Sequence, residues 1–219
     1  MKKKSPIKQL LEVMARLRAP DGCPWDREQD HHTLRFHAVE EVYELLDAIE
    51  AEDEHEMIEE LGDLLLQVVF HCQLGNERKA FDFDLVCQRI ADKLIRRHPH
   101  VFGDAKVKDV DAVWAQWDKI KRAEKEGTRH ARPSALDGIP CHLPALLRAE
   151  KLAKKARKAG LLNGAAPGRK LTRKAAAAEL FEIAQYAQSR GWSAEELLRG
   201  EAKRREQNWR KKEKTVKKH

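Results

Sequence analysis

RFHAVEEVYELLDAIEAEDEHEMIEELGD, residues 35–63, carries twelve acidic side chains and one basic one, Arg35, inside a chain of 219 residues whose formal net charge is +7. So dense a run of carboxylates calls for a cation. Two clusters stand out, Glu40-Glu41-x-x-Glu44 and Glu60-x-x-Asp63, separated by the polar break Glu52-Asp53-Glu54. In each, carboxylates three residues apart fall on one face of a helix, a turn from each other. Leu34, Ala38, Val42, Leu45, Leu46 and Ile49 make one helical apolar stripe, and Leu61, Leu64, Leu65, Val68 and Cys72 make a second. Glu41 and Glu44 border the first stripe, Glu60 and Asp63 the second, and Glu40 points further from the core.

Two helices joined by so short a connection pack antiparallel, so both borders can line one cleft. Asp63 is the only charge in Leu61–Phe70, a run that reads as buried nearly all round. A buried carboxylate must be protonated, paired or metal-bound, and neither helix offers a Lys or Arg to pair with it. Oxygen-only ligands of high charge suit a hard divalent ion, Mg²⁺ where the substrate brings phosphate oxygens. The plainer alternative, solvated acids on amphipathic helices, suits Glu50, Glu52, Asp53, Glu54 and Glu56.

The composition bounds the rest. Charged residues make up 36% of the chain and aromatics 6%, no alternating strand pattern occurs, and the expected fold is all-α. Cys23, Cys72, Cys87 and Cys141 are widely spaced without a CxxC pair, which indicates neither zinc nor a disulfide framework and fits a reducing cytoplasm. The basic start, Met1-Lys-Lys-Lys, has no apolar region behind it, and no run is suited to a membrane.

Ile7–Arg18 reads as a first helix stopped by Ala19-Pro-Asp-Gly. In Cys23-Pro-Trp-Asp26 the tryptophan is either a plug on the core or a platform near a bound base; taken alone, the plug is the better reading. A helix from about Leu85 to Arg97 ends at Pro99 and puts Lys93 and Arg97 on one face with Arg96 adjacent. These cations complement the helix dipole, and beside a carboxylate-held metal they are also what a polyphosphate needs. Asp111–Glu126 sets Trp117 and Lys121 one turn apart, either a base and phosphate contact or an aromatic under a lysine stem. Residues 127–140 read as a linker. Helices are expected over Leu143–Ala159 and Leu171–Arg190, and the segment from Arg199 to His219, with ten Lys or Arg against three Glu, reads as a solvated basic tail open to nucleic acid or an acidic protein.

Cys23-Pro-Trp-Asp, Glu40-Glu-x-x-Glu44, Glu60-Leu-Gly-Asp63, Lys93-Leu-Ile-Arg-Arg-His-Pro-His-Val-Phe102 and Trp117-x-x-x-Lys121 together resemble the MazG family of nucleoside triphosphate pyrophosphohydrolases, in order over roughly residues 7 to 125. The resemblance implies a helical bundle of antiparallel helices completed by dimerisation, with a smaller helical C-terminal region. It implies Mg²⁺-dependent cleavage of a nucleoside triphosphate between the α and β phosphates, with Mn²⁺ as a substitute, in a homodimer or higher oligomer. The implied metal ligands are Glu41, Glu44, Glu60 and Asp63, and the implied substrate contacts are Lys93, Arg96, Arg97, Trp117 and Lys121. Glu40 or Glu44 would take the proton of the attacking water, and Lys93 and Arg97 would stabilise charge on the departing pyrophosphate.

The expected organisation is a MazG-like domain over residues 1–126, a linker over 127–140, and a degenerate second repeat over 141–219. Glu179-Leu-Phe-Glu182 keeps the acidic spacing of one helix, but Leu161–Ala178 contains no Asp or Glu. Asp30 stands where the family usually has Thr. The competing function is a non-catalytic nucleotide-binding or regulatory protein acting through its basic C-terminal region.

Overall fold

The computed structural model describes residues 5–129, 131–162 and 170–216, helical and without strand among those residues. Lys2–Lys4 of the basic start and residues 217–219 of the tail lie outside them. The described residues form two compact units, one ending at Val110 and the other beginning at Asp111.

In the first unit α1 spans Pro6–Leu17, α2 Pro24–Glu28, α3 His37–Glu50, α4 Glu54–Glu77, α5 Phe83–Arg97 and α6 Pro99–Phe102. Its backbone is the α3–α4 hairpin, against which α1 and, more lightly, α5 pack. The turn is set by backbone chemistry. Asp53 N–H donates to the Ala48 carbonyl at 3.1 Å across Glu52, whose φ of 55° is the left-handed closure typical of a helix C-terminus. Asp53 then caps α4, its carboxylate accepting from the backbone N–H groups of His55 and Glu56 at 2.9 and 3.2 Å. The core lies under the C-terminal half of α4: Met14, Leu34, Val69, Phe70 and Leu74, with Leu10, Leu11 and Leu66 against it.

Arg18, at the end of α1, locks this arrangement. Its guanidinium pairs with Glu77 at 2.7 and 2.8 Å, donates to the carbonyls of Asp26 and Gln29, and lies 5.5 Å over the Phe70 ring. The plug reading of Trp25 is corrected here: the ring is 54% exposed and it is Asp26 that is buried, because Arg18 draws the Asp26 backbone inward. The 29–36 segment is tied to α4 by a chain of nitrogens. Arg78 donates to His31 Nε2 at 2.6 Å, and His31 Nδ1 meets His71 Nδ1 at 2.7 Å, with Phe81 stacked on His31. A cavity of about 330 Å³ beside this chain is lined by Arg18, Asp30, His31, Glu77 and Arg78.

The second unit holds α7 (Val110–Ala123), which begins at the boundary, α8 (Ala145–Lys158), α9 (Arg173–Ser189) and α10 (Ala194–Val216). The division falls ahead of the 127–140 segment, which is anchored to the second unit through residues 134–137. Leu136 is 1% exposed, Ser134 Oγ and Ala135 N–H donate to the buried Glu213 carboxylate at 2.6 and 2.9 Å, and Lys155 donates to the carbonyls of Ala135 and Asp137.

Expectation and structure differ again at the basic tail. It is not frayed over its described length: α10 packs along α8, and its four arginines are paired. Arg199 pairs with Glu195, Arg204 and Arg205 with Glu201, and Arg210 with Glu206 and Asp137. Glutamates placed three or four residues before these arginines pair them along the helix's own face, while Lys203, Lys211, Lys212 and Lys214 leave it net basic. By contrast α9 is held only lightly, with Leu180, Phe181, Ile183 and Tyr186 exposed.

Candidate metal centre

The α3–α4 hairpin brings together side chains about twenty residues apart. Glu41 on α3 and Glu60 and Asp63 on α4 offer oxygens that all lie within 4.8 Å of one another. Burial, then the charges of Asp63 and Glu44, push the Glu41 carboxyl above the usual carboxylate range. Burial, then Glu44, Asp63 and Glu41, do the same to Glu60. Anions that raise one another's pKa mark a place where a positive charge would be stabilised. Glu44 is thus close enough to act on both, although it stands outside the three-oxygen group. Glu40 is set apart from that group, exposed and 3.7 Å from His37 Nδ1 one turn earlier.

Asp63 requires a correction: it is exposed, as are Leu61, Leu65 and Val68 around it. The apolar run was read as a buried helix, but this chain covers only one side of it, the side of Val69, Phe70 and Cys72. The case for a cation therefore rests on the convergence of carboxylates and not on the burial of one of them. The donors are all oxygen, three within reach and a fourth nearby, a set that fits a hard divalent ion and leaves room for phosphate oxygens. A second cluster, His55, Glu56 and Glu59, is exposed on the first turns of α4. Among the described residues of the second unit no comparable group occurs.

Sequence reasoning missed Gln67. It is 7% exposed, and its amide nitrogen lies 3.4 Å from Glu41 Oε1. The signal was there, an amide four residues after Asp63 in an otherwise apolar stretch.

Lys93, Arg96 and Arg97 occupy the last turns of α5 in the same unit as the carboxylates. Trp117 and Lys121 belong to the second unit, where Lys121 Nζ lies 5.5 Å over the Trp117 ring and Trp114 meets that ring edge-on; the aromatic and the lysine engage each other.

Known proteins are similar to this chain over much of its length. A profile described as the MazG nucleotide pyrophosphohydrolase domain matches residues 29–102, which contain all four carboxylates and the α5 cations. A nucleoside triphosphate pyrophosphohydrolase of Escherichia coli K12 is 49% identical over 155 residues, 70% of this chain and 58% of that protein. A Thermotoga maritima protein named nucleoside triphosphate pyrophosphohydrolase/pyrophosphatase MazG is 42% identical over 154 residues, again 70% of this chain and 58% of that protein. The uncharacterized protein YabN of Bacillus subtilis is 51% identical over 142 residues, 65% of this chain and 28% of that protein. The chain thus spans less than two thirds of the length of these relatives. Through the hairpin and the helices packed on it, the first half of this chain belongs to the MazG family.

Proposed function

We propose that this chain is a Mg²⁺-dependent nucleoside triphosphate pyrophosphohydrolase that cleaves the anhydride between the α and β phosphates, giving a nucleoside monophosphate and pyrophosphate, in a housecleaning role on the nucleotide pool. The observation that carries the reading is the convergence of Glu41, Glu60 and Asp63 within 4.8 Å. Those three, with Glu44, would hold the ion. When bound, it neutralises phosphate charge and makes a water more acidic. Glu44 is better placed than Glu40 to take the water's proton, since its charge acts on both Glu41 and Glu60 while Glu40 is engaged with His37. Lys93, Arg96 and Arg97 supply fixed positive charge for the phosphates. Trp25, exposed beside His37 with ring centroids 6.2 Å apart, favours the platform reading for the base. Trp117 and Lys121 enter only as residues the resemblance implies.

A second copy of the chain completes the bundle in this reading. Val42, Leu46 and Ile49 on α3 and Leu61, Leu65 and Val68 on α4 are all at least 39% exposed, a larger apolar face than monomers usually present to water. No helix among the described residues is long and apolar enough to cross a membrane.

Phosphorus NMR of products across a panel of canonical and damaged nucleoside triphosphates tests the activity. Pyrophosphate and monophosphate appearing only with Mg²⁺ or Mn²⁺ support it; orthophosphate alone, or no turnover of any substrate, overturns it.

A further inference from the structure

Gln67 lies one turn beyond Asp63 on α4, and its neighbours from Leu64 to Phe70 are all apolar. A primary amide brings two donors and two acceptor lone pairs into that environment, and each group left there without a partner destabilises the fold. Only its amide nitrogen has a protein partner, the Glu41 carboxylate at 3.4 Å. Its Oε1 is buried without a hydrogen-bond partner in the protein. Leu or Met would fill the same space at no such cost, so packing does not account for an amide here. Its amide assignment is also fixed, because an ionised carboxylate only accepts: the NH₂ must be the group beside Glu41, which leaves the carbonyl without a protein donor.

The geometry points to Gln67 as a positioning residue for the cation site, holding the Glu41 carboxylate through its amide N–H and keeping its own carbonyl free to accept from a hydrated divalent cation. This rests on the reading of Glu41, Glu60 and Asp63 as ligands. Mg²⁺ and its analogues keep several waters when held by carboxylates, and such waters are donors of the kind the carbonyl lacks. Groups that orient a ligand in this way matter about 10–100-fold in metal affinity.

The test uses the full chain without nucleotide and Mn²⁺ as the probe, with free ion counted by electron paramagnetic resonance. Gln67→Met keeps length and volume while removing donor and acceptor. The expected result is a loss of Mn²⁺ affinity of about 10–100-fold, with the melting temperature of the metal-free protein unchanged or raised. In the unsubstituted chain, addition of Mg²⁺ shifts the side-chain NH₂ resonances of Gln67 and slows their exchange with solvent, a signature that a packing role would not produce and that needs no variant to fold. Gln67→Met binding Mn²⁺ like the wild type, or Gln67 resonances indifferent to saturating Mg²⁺, overturns the assignment and leaves the carboxylate site standing. A wild-type chain that binds no Mn²⁺ overturns the site and the role of Gln67 together.

Discussion

Gly75 and Gly200 both sit inside helices, and the same substitution should move stability in opposite directions at the two. At the end of α4 the chain turns back through Lys79, whose φ is 54°, with Ala80 N–H donating to the Gly75 carbonyl at 2.9 Å. That closure lays Phe81 across Gly75, so a Cβ there would meet the Phe81 carbonyl oxygen and a ring carbon, each at 2.7 Å. Neither contact is the free end of a flexible chain, because the ring is also stacked on His31. Alanine gains about 1 kcal/mol of helix propensity and loses about 2–3 kcal/mol to overpacking. Gly75→Ala should therefore cost about 1–2 kcal/mol, lowering the melting temperature of the first unit by about 4–10 °C. A Cβ on Gly200 meets nothing within 4 Å, and Gly200→Ala should stabilise the second unit by about 0.5–1 kcal/mol. Differential scanning calorimetry of the full chain reads both. Gly75→Ala as stable as wild type would refute the reasoning, since it would mean that the Phe81 turn yields freely.

Acid should weaken the first unit through its paired histidines. Arg78 can only donate to His31 Nε2, so His31 carries its proton on Nδ1, donates to His71, and both rings are neutral; burial, then Arg78, lowers the pKa of His31, and burial, then His31, lowers that of His71. The unfolded rings take protons first, so the stability contributed is complete above the ordinary value of about 6.5 and is lost as pH falls through the depressed values. His31→Phe should flatten the dependence of the urea midpoint on pH between 7 and 5, with Asp30, His32, Glu77 and Arg78 still in place around it. Glu52→Gly, which relieves a left-handed non-glycine residue, should raise the unfolding free energy measured in urea by about 0.5–1 kcal/mol. In the second unit Arg148 is 9% exposed and paired to Glu206 at 2.5 Å; Glu206→Ala, leaving that cation buried, should cost about 3–5 kcal/mol by chemical denaturation.

What the sequence could reveal followed from periodicity. The hairpin was legible because Leu34 to Ile49 and Leu61 to Cys72 keep helical phase on either side of the polar break Glu52-Asp53-Glu54. The convergence of carboxylates was legible because residues three apart share a face, which brought oxygens of Glu41, Glu60 and Asp63 within 4.8 Å of one another. Contacts with no periodic signature were hidden. Trp25 out and Asp26 in reverses what their side chains suggest, and the cause, the Arg18 guanidinium, is eight residues away from Asp26. Gln67 carries no pattern of its own. The exposure of Asp63 was illegible for a different reason: an apolar run reports that something covers it without saying whether that is the same chain.

Gly62 can answer that last question. It is flanked on α4 by Ile58, Leu61 and Leu65, exposed by 72, 53 and 39%, and a Cβ added to it meets nothing within 4 Å of this chain. A glycine inside an exposed helix gives up about 1 kcal/mol relative to alanine, and nothing in the chain's own packing requires it. Glycine does permit another backbone to come close. If a second copy covers the hairpin, as proposed, Gly62→Ala should weaken association while strengthening the isolated helix. In sedimentation the dissociation constant of the dimer would rise, and in melting experiments the variant would gain on the wild type as protein is diluted. A variant that melts higher by the same margin at every concentration, with association unchanged, would show that the copies meet elsewhere or not at all.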